Sequence, residues 1–125
     1  MPGKDFRSMV EAICEKDGRY RADSYEFVMQ ALGYTQKQLK RSGHVSGKEL
    51  LDGIRRFALE TYGPMARTVL EYWGIKKTGD FGTIVFNMIE GKILSKTDSD
   101  SLIDFENVYD FESAFKPVVK DFVIE

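Results

Sequence analysis

The sequence predicts a mainly α-helical domain with a small β-hairpin (α+β), in which a winged-helix-like core follows an N-terminal helical extension. Apolar residues recur at helical spacing through most of the chain, and glycines or prolines stand where these stripes stop. Three successive helices, at about 47–62, 64–73 and 79–91, precede a hairpin near 93–105, and this order is typical of a winged helix. We predict one domain, with an extension at 1–45, a core at 46–111 and a C-terminal docking segment at 112–125.

The first helix is predicted from a stripe of apolar residues with the spacing of one helix face. Gly18 stands where this helix should end. The stripe consists of Phe6, Met9, Val10 and Ile13.

A second helix is predicted to begin at Asp23, because its spacing to Glu26 is that of a capping box. We expect Gly33 to end or bend this helix, and a short third helix to reach about Arg41. Residues 25–34 also fit a strand, since Tyr, Phe and Val favour sheets.

The predicted core opens with its clearest helix, which Ser46 and Glu49 begin as a capping box. Pro64 suits the first position of the next helix, and Thr78 is placed to cap the one after it. Their buried stripes are predicted to be Leu50, Leu51, Ile54, Phe57, Ala58 and Thr61, then Met65, Ala66, Val69, Leu70 and Trp73, then Phe81, Ile84, Val85 and Met88.

The pattern changes after residue 91. Residues 92–96 are predicted to form a strand, 97–101 a polar turn and 102–105 a returning strand. Residues 108–111 suggest further strand, and 112–115 suggest one helical turn. We expect the apolar residues 118–124 to dock on the core as an extended segment.

Composition limits the function classes. Cys14 is the only cysteine, so no intramolecular disulfide can form, and no Cys/His cluster suggests zinc or an iron–sulfur centre. The apolar runs are far shorter than a membrane span, and the first residues lack an apolar signal core. We therefore expect a cytoplasmic protein without a cofactor, a metal or a membrane partner.

Charge is unevenly distributed along the chain. Residues 36–77 carry nine Lys/Arg and four Asp/Glu, whereas residues 78–125 carry four Lys/Arg and ten Asp/Glu. Our preferred interpretation is that the two regions lie against each other and partly neutralise. The alternative is a basic face for an anionic partner.

Several short motifs run through most of the chain, and together they resemble a family of small bacterial proteins of unknown function, the Minf-type hypothetical proteins. The resemblance implies a bacterial origin and brings no catalytic residue. The motifs include Asp17-Gly18-Arg19-Tyr20, Tyr25-Glu26-Phe27-Val28, His44-Val45-Ser46-Gly47, Gly63-Pro64, Trp73-Gly74-Ile75, Asp80-Phe81-Gly82, Leu94-Ser95-Lys96 and Val108-Tyr109-Asp110-Phe111.

No motif predicts a catalytic residue. Gly43 lies three positions before Ser46, whereas a nucleophile elbow needs Gly-x-Ser-x-Gly. The acidic string that begins at Asp98 lacks the glycine and glutamate of an EF-hand loop. No glycine-rich phosphate loop is present.

The preferred hypothesis is a non-enzymatic protein-interaction module, with a second copy or another protein as the partner. Phe86 lies off the buried stripe of its helix and is either exposed or covered by the C-terminal segment. The candidate partner-binding residues are Trp73, Phe86, Tyr109 and Phe111.

Two alternatives stay open. The first is nucleic-acid binding through the basic segment 36–77, although the would-be recognition helix presents Asn87 without a neighbouring cation. Its candidate residues are Arg55, Arg56, Lys76 and Lys77. The second is a small enzyme with carboxylate chemistry, in which Asp17 or Asp110 pairs with Arg19.

Overall fold

Helices make up the architecture. The computed structural model describes residues 5–95 and 101–116. Its α-helices are α1 (Phe6–Lys16), α2 (Ala22–Leu39), α3 (Gly47–Tyr62), α4 (Ala66–Tyr72), α5 (Thr78–Glu90) and α6 (Phe111–Ala114), and short 3-10 helices cover Gly63–Met65 and Leu102–Phe105.

The predicted winged-helix core at 46–111 is wrong, because no residue in those described ranges belongs to a β-strand. The strands predicted at 102–105 and 108–111 are absent, and residues 92–95 of the strand predicted at 92–96 form no strand either. Residues 96–100, which hold most of the predicted turn, lie outside the described residues. So do residues 117–125, the larger part of the predicted docking segment.

The N-terminal segment is helical, as predicted, but its α2 residues Tyr25, Phe27 and Val28 belong to the same buried core as α3 and α5. Helix α2 itself also differs from the prediction. It is one continuous helix whose N-cap is Arg21, without a side-chain cap, so the capping box at Asp23 and the strand alternative at 25–34 are both wrong. Gly33 lies inside this helix, exposed, and neither ends nor bends it into a separate element. An isolated glycine at a solvated helix position lowers stability without breaking the helix.

Helices α2 and α3 approach closely where Gly53 faces Thr35. The Thr35 hydroxyl donates to the Ala31 carbonyl at 2.7 Å, which fixes the side chain against its own helix. A Cβ added at Gly53 would lie 1.7 Å from the Thr35 Oγ1 atom. Only glycine at this position therefore allows the observed separation of the two helices.

The beginning of α3 confirms the predicted capping box. The Ser46 hydroxyl accepts from the Glu49 backbone N–H at 3.1 Å, and the Glu49 carboxylate accepts from the Ser46 N–H at 2.9 Å. The predicted stripe enters the core through Leu50, Leu51, Ile54 and Ala58. Phe57 is only partly buried, and the prediction that Thr61 is buried is wrong, because Thr61 is exposed.

The predicted helix 64–73 is divided into a 3-10 turn and α4. Gly63 adopts a positive φ of 53°, so the chain reverses at this residue before the α-helix is established. Met65 consequently leaves the buried stripe and is 55% exposed, whereas Ala66 and Leu70 are buried as predicted.

Helix α5 begins one residue earlier than expected, and Thr78 is not its cap. The Asp80 carboxylate caps the helix instead, accepting from the Lys76 and Lys77 backbone N–H groups at 2.8 and 3.2 Å. Thr78 is fully buried, and its hydroxyl donates to the Phe105 carbonyl at 2.6 Å and accepts from the Val108 N–H at 3.1 Å.

Residues 92–95 do not form a strand, because their backbone donors close the end of α5. Lys92 adopts a left-handed conformation with φ of 63°. The N–H groups of Ile93 and Leu94 then both donate to the Met88 carbonyl, at 2.8 and 3.2 Å. Donors used in this way cannot also pair with a second strand.

The segment predicted to return as a strand is held by Phe105, which is buried between α3 and α5. A Cβ added at Gly47 would lie 3.1 Å from the Phe105 ring, and one added at Gly82 would lie 2.7 Å from the Phe105 Cβ. These two glycines form a slot, which we call the glycine slot. The Phe105 ring occupies this slot at the end of the 3-10 helix Leu102–Phe105.

We expect Gly33→Ala to stabilise the protein by about 0.5–1 kcal/mol, because alanine loses less backbone entropy in a helix and its Cβ meets no atom within 4 Å. Chemical denaturation measures the change in unfolding free energy. The matched variant Gly53→Ala should lower stability through its clash with Thr35. A stabilised Gly53→Ala would contradict this account of the α2–α3 contact.

Thr78→Val should destabilise the fold by about 1–3 kcal/mol, because valine keeps the shape but leaves the Phe105 carbonyl and the Val108 N–H without their partner. The loss should be accompanied by faster amide exchange at Val108. Thr78→Ser, which keeps the hydroxyl, serves as the control. Equal losses in Thr78→Val and Thr78→Ser would show that packing rather than hydrogen bonding holds this segment.

Candidate functional site

An apolar groove lies where the end of α2, the loop before α3 and one face of α5 meet. It encloses about 430 Å³, which falls within the usual range for binding sites. Its walls include Leu32, Val45, Leu50, Val85, Phe86, Ile89, Leu94 and Phe105, and its polar groups include Gln36, Ser42, His44 and Ser95.

Hydrogen bonds hold the loop that forms one wall of the groove. The Gln36 amide donates to the Ser42 carbonyl at 3.4 Å and to the Gly43 carbonyl at 3.0 Å. Arg41 donates to the His44 carbonyl at 3.3 Å and also pairs with the Glu49 carboxylate. These contacts tie the loop to α2 and to the start of α3.

The groove is suited to apolar ligands. Phe86 is half-buried at its wall and packs against the core, and Leu32, Val45, Ile89 and Leu94 are also only partly buried. An apolar group that enters would remove these surfaces from water, at about 25 cal/mol per Å². The polar groups lie in and beside the 42–45 loop.

A second groove, of about 640 Å³, lies between α1 and the end of α5 and contains Asp17 and Asn87. Arg19 donates its backbone N–H and its Nε to Asp17 Oδ1, at 3.1 and 2.9 Å, and its Nη2 to Oδ2 at 2.7 Å. Asn87 donates to the same Oδ2 at 3.0 Å and to the Tyr25 hydroxyl at 3.0 Å. A carboxylate has about four acceptor positions, so these donors saturate Asp17.

The Asp17 carboxylate therefore acts as a clamp between the α1–α2 loop and α5. The guanidinium of Arg19 and the amide of Asn87 hold the pKa of Asp17 well below its ordinary value. Such a carboxylate stays ionised at neutral pH and is a weak proton acceptor. Of the two carboxylates considered for catalysis, Asp17 does pair with Arg19, whereas Asp110 caps α6 by accepting from the Ser113 N–H at 2.8 Å.

A second polar contact fastens the same loop. The Tyr20 hydroxyl donates to Asp80 Oδ1 at 2.6 Å, and Tyr20 is 3% exposed. Burial and the neighbouring Asp80 carboxylate raise the pKa of Tyr20 above its ordinary value. The Arg21 N–H donates to the Trp73 carbonyl at 3.0 Å, which ties the loop to the end of α4 as well.

The predicted partner-binding residues lie in three places. Trp73 is buried against Phe27 and Tyr62, with ring centroids 5.5 and 5.9 Å away. Phe111 is also buried, and the hydroxyl of its neighbour Tyr109 donates to the Leu51 carbonyl at 2.8 Å. Of the four, Phe86 alone lines the apolar groove.

The predicted nucleic-acid residues are dispersed among local contacts. Arg55 and Arg56 both pair with Asp52, at 3.4 and 2.9 Å. Lys76 and Lys77 are exposed just before α5. The prediction that Asn87 presents its amide outward is wrong, because that amide joins the Asp17 clamp.

Three large apolar side chains are exposed in and just after the segment where the sequence predicted the returning strand of the hairpin. Ile103 is 74% exposed, Leu102 48% and Val108 37%. We call these three residues the apolar knob. The apolar run around 102–105 was the only sequence signal, and its strand interpretation assigned these side chains to sheet pairing.

Comparisons with known proteins leave the assignment to geometry. No family model, curated protein or solved structure matches the chain. None of the helices in residues 5–95 and 101–116 has the length and hydropathy needed to cross a bilayer. Those same residues contain no group of three or more His, Cys, Asp or Glu able to hold a metal ion.

Asp17→Asn should lower stability at neutral pH by about 1.5–3 kcal/mol, because it weakens charge-assisted hydrogen bonds. The native pKa of Asp17 is depressed, so its contribution is fully present above its ordinary pKa of 3.8 and is lost as pH falls toward the lower native pKa. Denaturation measured from neutral to acid pH should show the two curves converging below that value. The control Glu11→Gln, on an exposed face of α1, should follow wild type, and a difference that does not change with pH would contradict the clamp.

Proposed function

We propose that this chain is a non-enzymatic protein-interaction module whose contact site is the apolar groove beside Phe86. The observation that carries the proposal is a groove of about 430 Å³ whose walls are mainly apolar and whose loop is held by hydrogen bonds from Gln36 and Arg41. Anchor residues that dominate protein–protein binding occupy well-packed, desolvated pockets of this kind. The partner is expected to insert an apolar side chain there.

The state of the polar residues supports binding over catalysis. Asp17 is saturated by its donors, and Asp110 is used as a helix cap. The Ser46 hydroxyl is engaged in the capping box of α3. The small-enzyme alternative therefore has no observation that favours it among these residues.

Nucleic-acid binding through the basic segment 36–77 stays a prediction, as the alternative to protein binding. Arg55 and Arg56 share one carboxylate partner, which offsets part of the charge that phosphate contacts would need. A cytoplasmic location and the bacterial resemblance also stay predictions.

Phe86→Ala should abolish the binding of partner proteins at the groove while leaving the secondary structure of the chain intact. The immobilised chain is incubated with an extract of the source organism, and the proteins retained in stoichiometric amounts are identified. Met65→Ala is the matched control, because Met65 is a large exposed apolar residue outside the groove. Thermal unfolding by circular dichroism confirms that each variant is folded.

A second variant keeps the result interpretable if Phe86→Ala is unstable. Gly43 lines the groove, and a Cβ added there meets no atom within 4 Å, so Gly43→Trp adds bulk at the groove without removing a core contact. We expect both groove variants to lose proteins that wild type and Met65→Ala retain. An identical retained set on all four proteins, or no stoichiometric retention on wild type, would contradict the proposed function.

A further inference from the structure

We propose that this chain binds single-stranded nucleic acid at a surface where the α1–α2 loop meets the end of α4 and the loop before α5. We call this surface the cationic edge and define it by Arg21, Tyr72, Lys76 and Lys77. None of these four residues lines the apolar groove. The inference therefore goes beyond the proposed function and does not depend on it.

Two loops that are distant in sequence are in direct backbone contact at this edge. The Arg21 N–H donates to the Trp73 carbonyl at 3.0 Å. Gly74 has a positive φ of 98°, and a Cβ added there would lie 2.3 Å from the Arg19 carbonyl oxygen. The close approach places the exposed side chains of both loops on one surface.

The lysines that follow this contact are held against the same loop through Asp80. One oxygen of its carboxylate accepts from the Tyr20 hydroxyl at 2.6 Å. The other accepts from the backbone N–H groups of Lys76 and Lys77 at 2.8 and 3.2 Å. The start of α5 is therefore fixed beside the α1–α2 loop, and both lysine side chains are exposed there.

Tyr72 and Arg21 stack on each other at the centre of the edge. The Arg21 guanidinium carbon lies 4.3 Å from the centroid of the Tyr72 ring, and the Arg21 Nε donates to the Tyr72 carbonyl at 3.3 Å. Tyr72 is nevertheless 65% exposed, so much of its ring surface stays open to solvent. Exposed aromatic rings beside cations are the platforms on which single-stranded nucleic acids stack their bases.

The Arg21 guanidinium is oriented for a phosphate group. Its stacking and its Nε hydrogen bond restrict its position, whereas its two Nη groups donate to no acceptor in residues 5–95 and 101–116. A planar guanidinium can bind two phosphate oxygens through parallel hydrogen bonds. Because the side chain is already held, such binding costs less conformational entropy than it would for a mobile arginine.

The carboxylates around the cationic edge are engaged by other groups or belong to a helix N-terminus. They are Asp17, paired with Arg19 at 2.7 Å, Glu71, paired with Arg67 at 3.0 Å, Asp80, which accepts from Tyr20, and Asp23, in the first turn of α2. Within the part of the chain that the structure describes, no carboxylate pairs with the side chains of Arg21, Lys76 or Lys77. These three cations therefore remain available to phosphates.

A single strand fits this arrangement better than a duplex. Its bases can be splayed out and stacked on an aromatic ring, whereas those of a duplex are already stacked and paired. The cations around Tyr72 would contact the phosphates on either side of the stacked base. Affinity should therefore depend both on the ring and on salt.

The test measures binding of a labelled oligothymidylate and of a duplex of equal length by fluorescence anisotropy over a range of salt concentrations. Tyr72→Leu removes the ring, and Tyr72→Phe keeps it. A double variant, Lys76→Gln with Lys77→Gln, removes two cations of the edge. Its matched control is Lys37→Gln with Lys48→Gln, which removes two exposed cations elsewhere. Thermal unfolding confirms that every variant is folded.

We expect wild type and Tyr72→Phe to bind the single strand more tightly than the duplex. Tyr72→Leu should weaken that binding by about fivefold to a hundredfold, because it loses a stacked base. The Lys76 and Lys77 variant should reduce the slope of log affinity against log salt by about 1.4, the value for two phosphate contacts on a single strand. The control double variant should keep the slope of wild type.

The absence of wild-type binding to the single strand at low salt would overturn the inference. So would equal affinity of wild type and Tyr72→Leu, or an equal loss of slope in the two lysine double variants, since either result would show general attraction between charges. None of these results bears on the apolar groove, whose retention of extract proteins is measured separately. The proposed function and this inference therefore fail independently.

Discussion

The packing of Phe105 positions α3, α5 and the segment that follows α5. Its ring lies in the glycine slot between α3 and α5, where a Cβ on Gly47 or Gly82 would meet it at 3.1 or 2.7 Å. Phe105 and Thr78 are buried, so the backbone polar groups beside the slot need partners, and the Thr78 hydroxyl contacts the Phe105 carbonyl and the Val108 N–H. One aromatic side chain thus fixes the spacing of two helices and the path of the segment that follows α5.

The polar residues at the other side of α5 serve a related purpose. Asp17, Arg19 and Asn87 form a closed set of hydrogen bonds, and Tyr20 with Asp80 forms another. Both sets join the short α1–α2 loop to a helix distant in sequence. The donors and acceptors of each set satisfy one another, so the hydrogen bonds stabilise the fold and orient the α1–α2 loop against α5.

The two constraints together explain the surface. The clamp sets α1 and α2 against α5, and the seated Phe105 completes the wall of the apolar groove. The same 3-10 turn that buries Phe105 directs Ile103 outward. Groove and projection are therefore consequences of a single packing arrangement, which is why they lie side by side.

Features controlled by local chemistry could be predicted from the amino-acid sequence. The capping box at Ser46 and Glu49, the buried stripes of α1, α3 and α5 and the absence of a disulfide follow from spacing and composition. The sequence also identified Phe86 as a residue off its helix stripe, which is the part of the candidate site that could be found without a structure. Tertiary structure decided the rest: Thr78, Asn87 and Phe105 have partners 27 to 70 positions away, and helix or strand patterns carry no record of such contacts. Residues 102–105 are as apolar as a typical strand. Burial of the Phe105 ring in the glycine slot takes the place of strand pairing, so packing against α3 and α5 overrides the β propensity of this segment.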